Sequence, residues 1–216
     1  VLPVVNQQKK LLGRITVDDI MDVVKEEAEK DYQMASGILE DVESSDSIWA
    51  LTRARLPWLL IGMLGGIIGA SIIGIFNIKD NFELALFIPL IAAMGGNVGV
   101  QSAAIVVQGL ANDSIKIEGI FKKLIKELGV GLLNGLICSL IILVTTIILK
   151  YPLELSITVS ISLLAVIVFA ALFGTFVPLM LKRYNIDPAL ATGPFITTAN
   201  DVLGLFIYFI IGQLIL

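Results

Sequence analysis

The chain has 216 residues, 56% of them hydrophobic, with a mean hydropathy of +0.92, a formal charge of −4, one cysteine and no histidine. So apolar a composition excludes an ordinary soluble domain. The absence of histidine and the single Cys138 exclude a disulfide framework and leave few ligands for zinc chemistry, and the acidic balance argues against a nucleic-acid partner.

Residues 1–56 are polar, mixed in charge and free of a cleavable signal-peptide pattern. VLPVVNQQKKLLGRITVDDIMDVV predicts a short strand, a turn, a second strand over Leu11–Thr16 and an acidic-capped helix from about Val17. Two strands and one helix are too little to bury a core, so residues 1–32 are read as the tail of a cytoplasmic domain. Eleven of the nineteen acidic residues fall between Asp18 and Asp46, opposed only by Lys25 and Lys30. Two readings fit such a run: a solvated helix face with a linker, or a set of hard oxygen ligands for Mg²⁺ or Ca²⁺ beside a cation pathway. Residues 33–56 are an acidic linker followed by an amphipathic helix, Ser44–Arg55, leading into the membrane, with Trp49 and Trp58 as interfacial anchors.

Five apolar runs follow, Trp58–Phe76, Leu84–Ala111, Leu128–Leu149, Leu155–Leu181 and Pro194–Leu216. Each reaches the roughly 17–25 residues that a spanning helix needs, and none alternates in polarity as barrel strands do. The expected fold is an all-α polytopic membrane protein whose residues 57–216 form a five-helix domain. Arg53, Arg55, Lys116, Lys122, Lys123, Lys126, Lys182 and Arg183 fall on one side, and only Lys79 and Lys150 on the other. That asymmetry predicts a cytoplasmic N-terminus and an external C-terminus in a plasma membrane.

Within the spans, Gly62, Gly66, Ala70 and Gly74, then Gly65 and Gly69, and later Gly131 and Gly135, recur four residues apart. They predict close helix packing, within one subunit or across a dimer. In the second span Asn97, Gln101 and Gln108 form one polar stripe. The stripe fits interhelical hydrogen bonding. It equally fits a cavity lining, in which Gly95, Gly96 and Gly99 loosen the helix so that its carbonyls turn toward an ion. Gly174 and Pro178 would permit a kink in the fourth span. Asp187, before Pro188, is a turn residue or an acidic mouth.

The last span carries the sharpest signal. Pro194 suits a first helical position, which places Asp201 about 10–12 Å along the helix axis. A carboxylate at that depth costs roughly 2.5–3.5 kcal/mol on insertion scales and marks a bundle interior or a water-filled path. No other span contains an internal Lys or Arg to pair with it. A soluble cation fills that role, and the competing reading is a protonated packing aspartate. Thr197, Gly204 and Tyr208 share its face, with Thr198 and Asn200 beside it.

PLIAAMGGNVGVQSA at Pro89–Ala103 together with DPALATGPFITTANDVLG at Asp187–Gly204 resembles the MgtE family of magnesium channels and transporters. The likeness covers all five spans. The segment VLPVV…LLGRITVDDIMDVV is similar to the end of that family's second cystathionine-β-synthase-type (CBS) domain, and EEAEKDYQMASG to the segment leading to its plug helix. The resemblance implies a homodimer with the pore on the two-fold axis, lined by the second and fifth helices. It implies that Asp201 binds hydrated Mg²⁺, with backbone contributions near Gly95–Gly99. It also implies that cytoplasmic carboxylates bind Mg²⁺ and close the pore, and these would be drawn from Asp22, Glu26, Glu27, Glu29 and Asp31. Relatives can carry Asn where Gly193 stands, so a ligand at that mouth is missing here.

The expected function is movement of Mg²⁺, or another divalent cation, across the bilayer. Mg²⁺ sheds water reluctantly and is held by one or two carboxylates with waters kept. Asp201, Asn97, Thr197, Asn200, Gly95, Gly96 and Asp187 are the predicted ion contacts. An intramembrane aspartyl protease needs two carboxylates at one site, which only a dimer would supply. A mere membrane anchor for a sensor leaves the polar stripes unexplained. The chain is therefore expected not to be an enzyme.

Overall fold

The computed structural model of the chain describes residues 1–76, 82–112, 119–191 and 193–216. Lys79 and Lys116, used in the orientation count, lie outside the described residues. Strands β1 (Leu2–Val5) and β2 (Leu11–Ile15) pair antiparallel, with Leu2 opposite Ile15. Helix α1 (Val17–Ala35) starts at Thr16, whose side chain accepts from the Asp19 N–H while the Asp19 carboxylate takes both the N–H and the hydroxyl of Thr16. This is a capping box with an aspartate in the third position, and those two bonds hold the Asp19 carboxyl below its ordinary pKa.

Five helices are long and apolar enough to cross a membrane, as predicted. They are α2 (Ile48–Ile75), the broken pair α3 (Phe82–Ala85) and α4 (Ile88–Ala111), α5 (Ile120–Ile148), α6 (Leu153–Arg183) and α7 (Pro194–Ile215). Two boundaries differ from the expectation. The helix expected over Ser44–Arg55 starts at Ile48 and is continuous with the first span. Ser47 caps α2 through the Ala50 N–H, and the helix runs on through Pro57 into the span. Helix α5 begins eight residues before Leu128, so Lys122, Lys123 and Lys126 sit on its first turns rather than in a loop.

Helix α6 is the centre of the bundle, touching α4, α5 and α7. Between lipid-like surfaces, helices associate by close packing and hydrogen bonds rather than by hydrophobic transfer, and α6 meets both needs. Ser156 and Thr158 return their hydroxyls to the Pro152 and Glu154 carbonyls, while Ser160 donates across to the Ser139 carbonyl at 2.7 Å. Gly131 and Gly135 of α5 fit against Val168 and Leu164, as the spacing predicted for a contact within one subunit. Helix α6 is continuous from Leu153 to Arg183 through Gly174 and Pro178. The missing side chain of Gly174 lets the backbone of Gly99 on α4 lie directly against it. The Tyr208 hydroxyl, fully buried, ties α7 to the Leu84 carbonyl at 2.9 Å. Helix α2 is peripheral and packs chiefly on α7.

Candidate functional site

Asp201 lies half-buried on α7 at the bottom of a crevice of about 300 Å³ between α7 and α2. The walls are Gly62, Gly65, Gly66 and Gly69 on one side, and Thr198 and Asp201 on the other. The glycine stripe therefore has two uses. Gly65 and Gly69 press against Thr198 and Leu205, whereas Gly66 faces open space and keeps the crevice clear. A wider vestibule of about 730 Å³ joins the crevice at Gly62 and Thr198. Asn97, Gln101 and Thr197 line it. The two cavities share Gly62 and Thr198, and the polar side chains that line them are Ser36, Asn97, Gln101, Thr197, Thr198 and Asp201, set among glycines and apolar residues.

Helix α4 supplies the opposite wall. Gly96 is so close to α7 that a β-carbon there would meet Thr197 Cγ2 at 3.2 Å and Asp201 Oδ1 at 3.5 Å. Gly95 and Gly99 receive Asn200. Helix α4 is continuous from Ile88 to Ala111, with Gly95 and Gly96 buried against α6 and α7. Asn97 and Gln101 project from the other side of α4 and are exposed in the vestibule, while Gln108 shares their stripe without lining it.

Of the expected polar residues on α7, Thr197, Thr198 and Asp201 reach the cavities. Thr197 spends its hydroxyl proton on the Gly193 carbonyl at 3.0 Å, leaving oxygen lone pairs toward the vestibule. Asn200 does not join them. It is 1% exposed, wedged against α4, and neither polar atom of its amide has a partner among the described residues. One residue is about 100° of helix rotation, enough to carry Asn200 away from the face on which Asp201 stands. Gly204 and Tyr208 also turn inward, toward Val166 and Leu84.

The mouth of the vestibule is built from α1 and the loop before α7. Ala35 and Ser36, at the end of α1, line the vestibule beside Gly193 and Pro194. Gly193 has φ +55° and sits directly against the Ala35 carbonyl, so it is the position where a side chain is least tolerated. Asp187 takes the turn role. Its Oδ1 accepts from the Ala189 N–H at 2.9 Å, shaping the turn into the 3₁₀ segment Pro188–Ala191, and its charge faces Asp31. Partial burial, then repulsion from Asp187 and Glu27 against the pull of Lys30, pushes the Asp31 carboxyl above its ordinary pKa. Asp22, Glu26 and Glu29 fall on another face of α1, where Glu29 pairs with Lys25 at 3.7 Å. Among the described residues no three acidic, cysteine or histidine side chains converge on one point as a metal cage.

The chain holds a second intramembrane carboxyl that the apolar runs conceal. Glu127, buried on α5, accepts the Ser102 hydroxyl of α4 at 2.7 Å. The charge-free run begins at Leu128, which on sequence grounds puts Glu127 in the preceding loop. The signal for it is spacing, since Glu127, Gly131, Gly135 and Ser139 recur every four residues and all are buried. Ser102→Ala strands a buried carboxyl and should cost about 1–3 kcal/mol, whereas Ser102→Ala with Glu127→Leu should recover most of the loss. Thermal unfolding in detergent of the single and double variants checks this.

The MgtE family model, described as divalent cation transporter, matches residues 88–211. Over 210 residues the chain is 36% identical to the magnesium transporter MgtE of Bacillus subtilis, covering 96% of this chain and 47% of that protein. Against the magnesium transporter MgtE of Thermus thermophilus it is 36% identical over 220 residues, covering 100% and 49%. The chain spans about half the length of the curated relatives it matches. On this likeness and on the five-helix bundle around Asp201, the chain belongs to the MgtE family of divalent cation transporters.

Proposed function

We propose that this chain forms the membrane-crossing part of a Mg²⁺ channel or transporter, multi-pass in the plasma membrane, with α1 on the cytoplasmic side and the C-terminus outside. The observation that carries this reading is Asp201 lining a crevice within the spanning helices, beside a cavity lined by Asn97, Gln101 and Thr197. A single carboxylate backed by amides and hydroxyls suits an ion that keeps its water, because Mg²⁺ is typically held through one or two carboxylates plus retained waters. Asn97, Gln101 and Thr197 would contact that water and Asp201 would supply the charge. Two copies of α4 and α7 facing each other across a two-fold axis would complete the pore and double the charge. The relatives named magnesium transporters favour Mg²⁺ over other divalent ions as the substrate. The chain is a transporter and not an enzyme on this reading. Reconstituted in liposomes, it should load Mg²⁺ down a gradient faster than empty vesicles. Equal rates would refute transport and leave an anchor, and cleavage of a transmembrane peptide lost in Asp201→Asn would favour a protease.

In this reading residues 1–32 belong to a CBS-type regulatory domain and α1 is the gate. Glu27, Asp31 and Asp187 repel one another when α1 is docked at the mouth, and a divalent cation between them offsets that repulsion. Mg²⁺ on the α1 side thereby favours the docked, closed form by its higher affinity for it. The proton acts in the same direction. Docking raises the proton affinity of Asp31, so acid favours docking, and that contribution fades as pH rises through its raised pKa. Asp31→Asn should lower the sensitivity to inhibitory Mg²⁺ by roughly tenfold, since affinity follows the number of charged ligands. Flux recorded against Mg²⁺ on the α1 side checks it, and an unchanged midpoint counts against this gate.

A further inference from the structure

On the far side of α6 from Asp201, the bundle carries an open groove of about 560 Å³ between α5 and α6. Phe121, Ile125 and Leu128 form one wall and Phe169, Phe173 and Phe176 the other, with Phe169 and Phe173 stacked at 5.7 Å. The groove is uncovered in the subunit, and Phe121 is 76% exposed. What distinguishes it from the other apolar faces is its end. Arg183 continues the same helical stripe as Phe169, Phe173 and Phe176, two turns beyond Phe176.

The antiparallel register of α5 on α6 is set by Gly131 against Val168, Gly135 against Leu164 and Ser160 on Ser139. Extended outward, it puts Lys122 beside the turn that follows Phe176. Lys122 follows Phe121 on the first turn of α5 and Arg183 stands in the last turn of α6, so both cations lie at the same end of the slot. Lys123 and Lys126 lie on the same first turns of α5, and Lys182 in the last turn of α6. The acid nearest in sequence among the described residues, Glu127, is turned away onto Ser102. No described residue forms an ion pair with any of the five.

An apolar slot with a cluster of cations at one end is complementary to an amphiphile with an acyl chain and an anionic head. We propose that this groove is a binding site for one anionic phospholipid, its acyl chain between the Phe121 and Phe173 walls and its phosphate on Lys122 and Arg183. Zwitterionic lipid can cover the same apolar walls but offers no net charge to the rim. Basic clusters between spanning helices select anionic head groups for this reason.

The test is native mass spectrometry of the protein in micelles containing equal phosphatidylglycerol and phosphatidylcholine. The protein should retain phosphatidylglycerol in preference, and Lys122→Gln with Arg183→Gln should reduce that preference by about fivefold for each charge removed. Lys150→Gln, at the other end of α5, should leave it unchanged. Ile125→Trp, which fills the groove and keeps the charges, should release the lipid. Equal retention of both lipids, a preference untouched by the double variant, or retention in Ile125→Trp would overturn the assignment. So would efficient cross-linking of Phe173→Cys between two copies, which would make the groove a subunit interface.

Discussion

Asp201→Asn should lower Mg²⁺ flux by roughly 30- to 100-fold, the loss of about 2–3 kcal/mol that goes with removing the charge from a hydrogen-bonded contact, while the protein stays folded. The substitution keeps the shape of the side chain, and Asp201 is only half-buried in its crevice, so packing against Gly96 and Thr197 survives. Removing a charge from the interior of a span relieves a cost rather than adding one. Stability and flux should therefore move in different directions, which separates an ion contact from a packing residue. Asp201→Glu keeps the charge but carries it one methylene further into a glycine-walled crevice, and should retain part of the flux. Flux in liposomes together with the thermal midpoint of the same preparations tests the pair. Full flux in Asp201→Asn would assign the carboxyl to packing.

Gly174→Ala should be the most destructive glycine-to-alanine change inside a spanning helix. A β-carbon at Gly174 meets the Gly99 backbone, with its Cα and carbonyl carbon both at 3.0 Å and the carbonyl oxygen closer still. A side chain could rotate away, but a backbone cannot, so α4 as a whole must shift. Overpacking of this kind typically costs 1–3 kcal/mol, and the backbone contact puts this case at about 3 kcal/mol. The displaced helix is the one that carries Asn97 and Gln101, so flux should fall with stability. Gly66→Ala and Gly74→Ala meet nothing within 4 Å and should change the subunit's stability by less than about 0.5 kcal/mol. Unfolding midpoints for the three variants check the order.

The existence and number of the spans are legible in the sequence because hydropathy and length alone define them. Asp201 is legible because an isolated charge in such a run has few bland explanations. What periodicity does not supply is the choice between neighbours on adjoining faces. Asn200 and Asp201 both read as ligands in the sequence, and only the packing of α4 shows that one fills the gap at Gly99 while the other opens to the crevice. The glycines at 95, 96 and 99 suggest a loosened helix because glycine permits distortion. In the bundle they serve close approach of α6 and α7 to a continuous helix. Charges blur the start of α5. A helix extends past the apolar core when its first turn reaches the interface, and a charge-free run stops one residue short of Glu127. The docking of α1 rests on positive φ at Gly193 and on a tertiary contact with Ala35, neither of which a linear pattern encodes.

A divalent cation should occupy the crevice beside Asp201, and everything proposed for transport depends on it. The most direct measurement is anomalous diffraction from crystals of the protein soaked in Mn²⁺ as a substitute for Mg²⁺. A hydrated ion should appear about 4–5 Å from the Asp201 carboxylate, one water layer away, in the space bounded by Gly66, Ala92 and Thr198. It should disappear in Asp201→Asn crystals. Strong anomalous density near Asp31 and Asp187 with none beside Asp201, or density there that survives Asp201→Asn, would contradict the account.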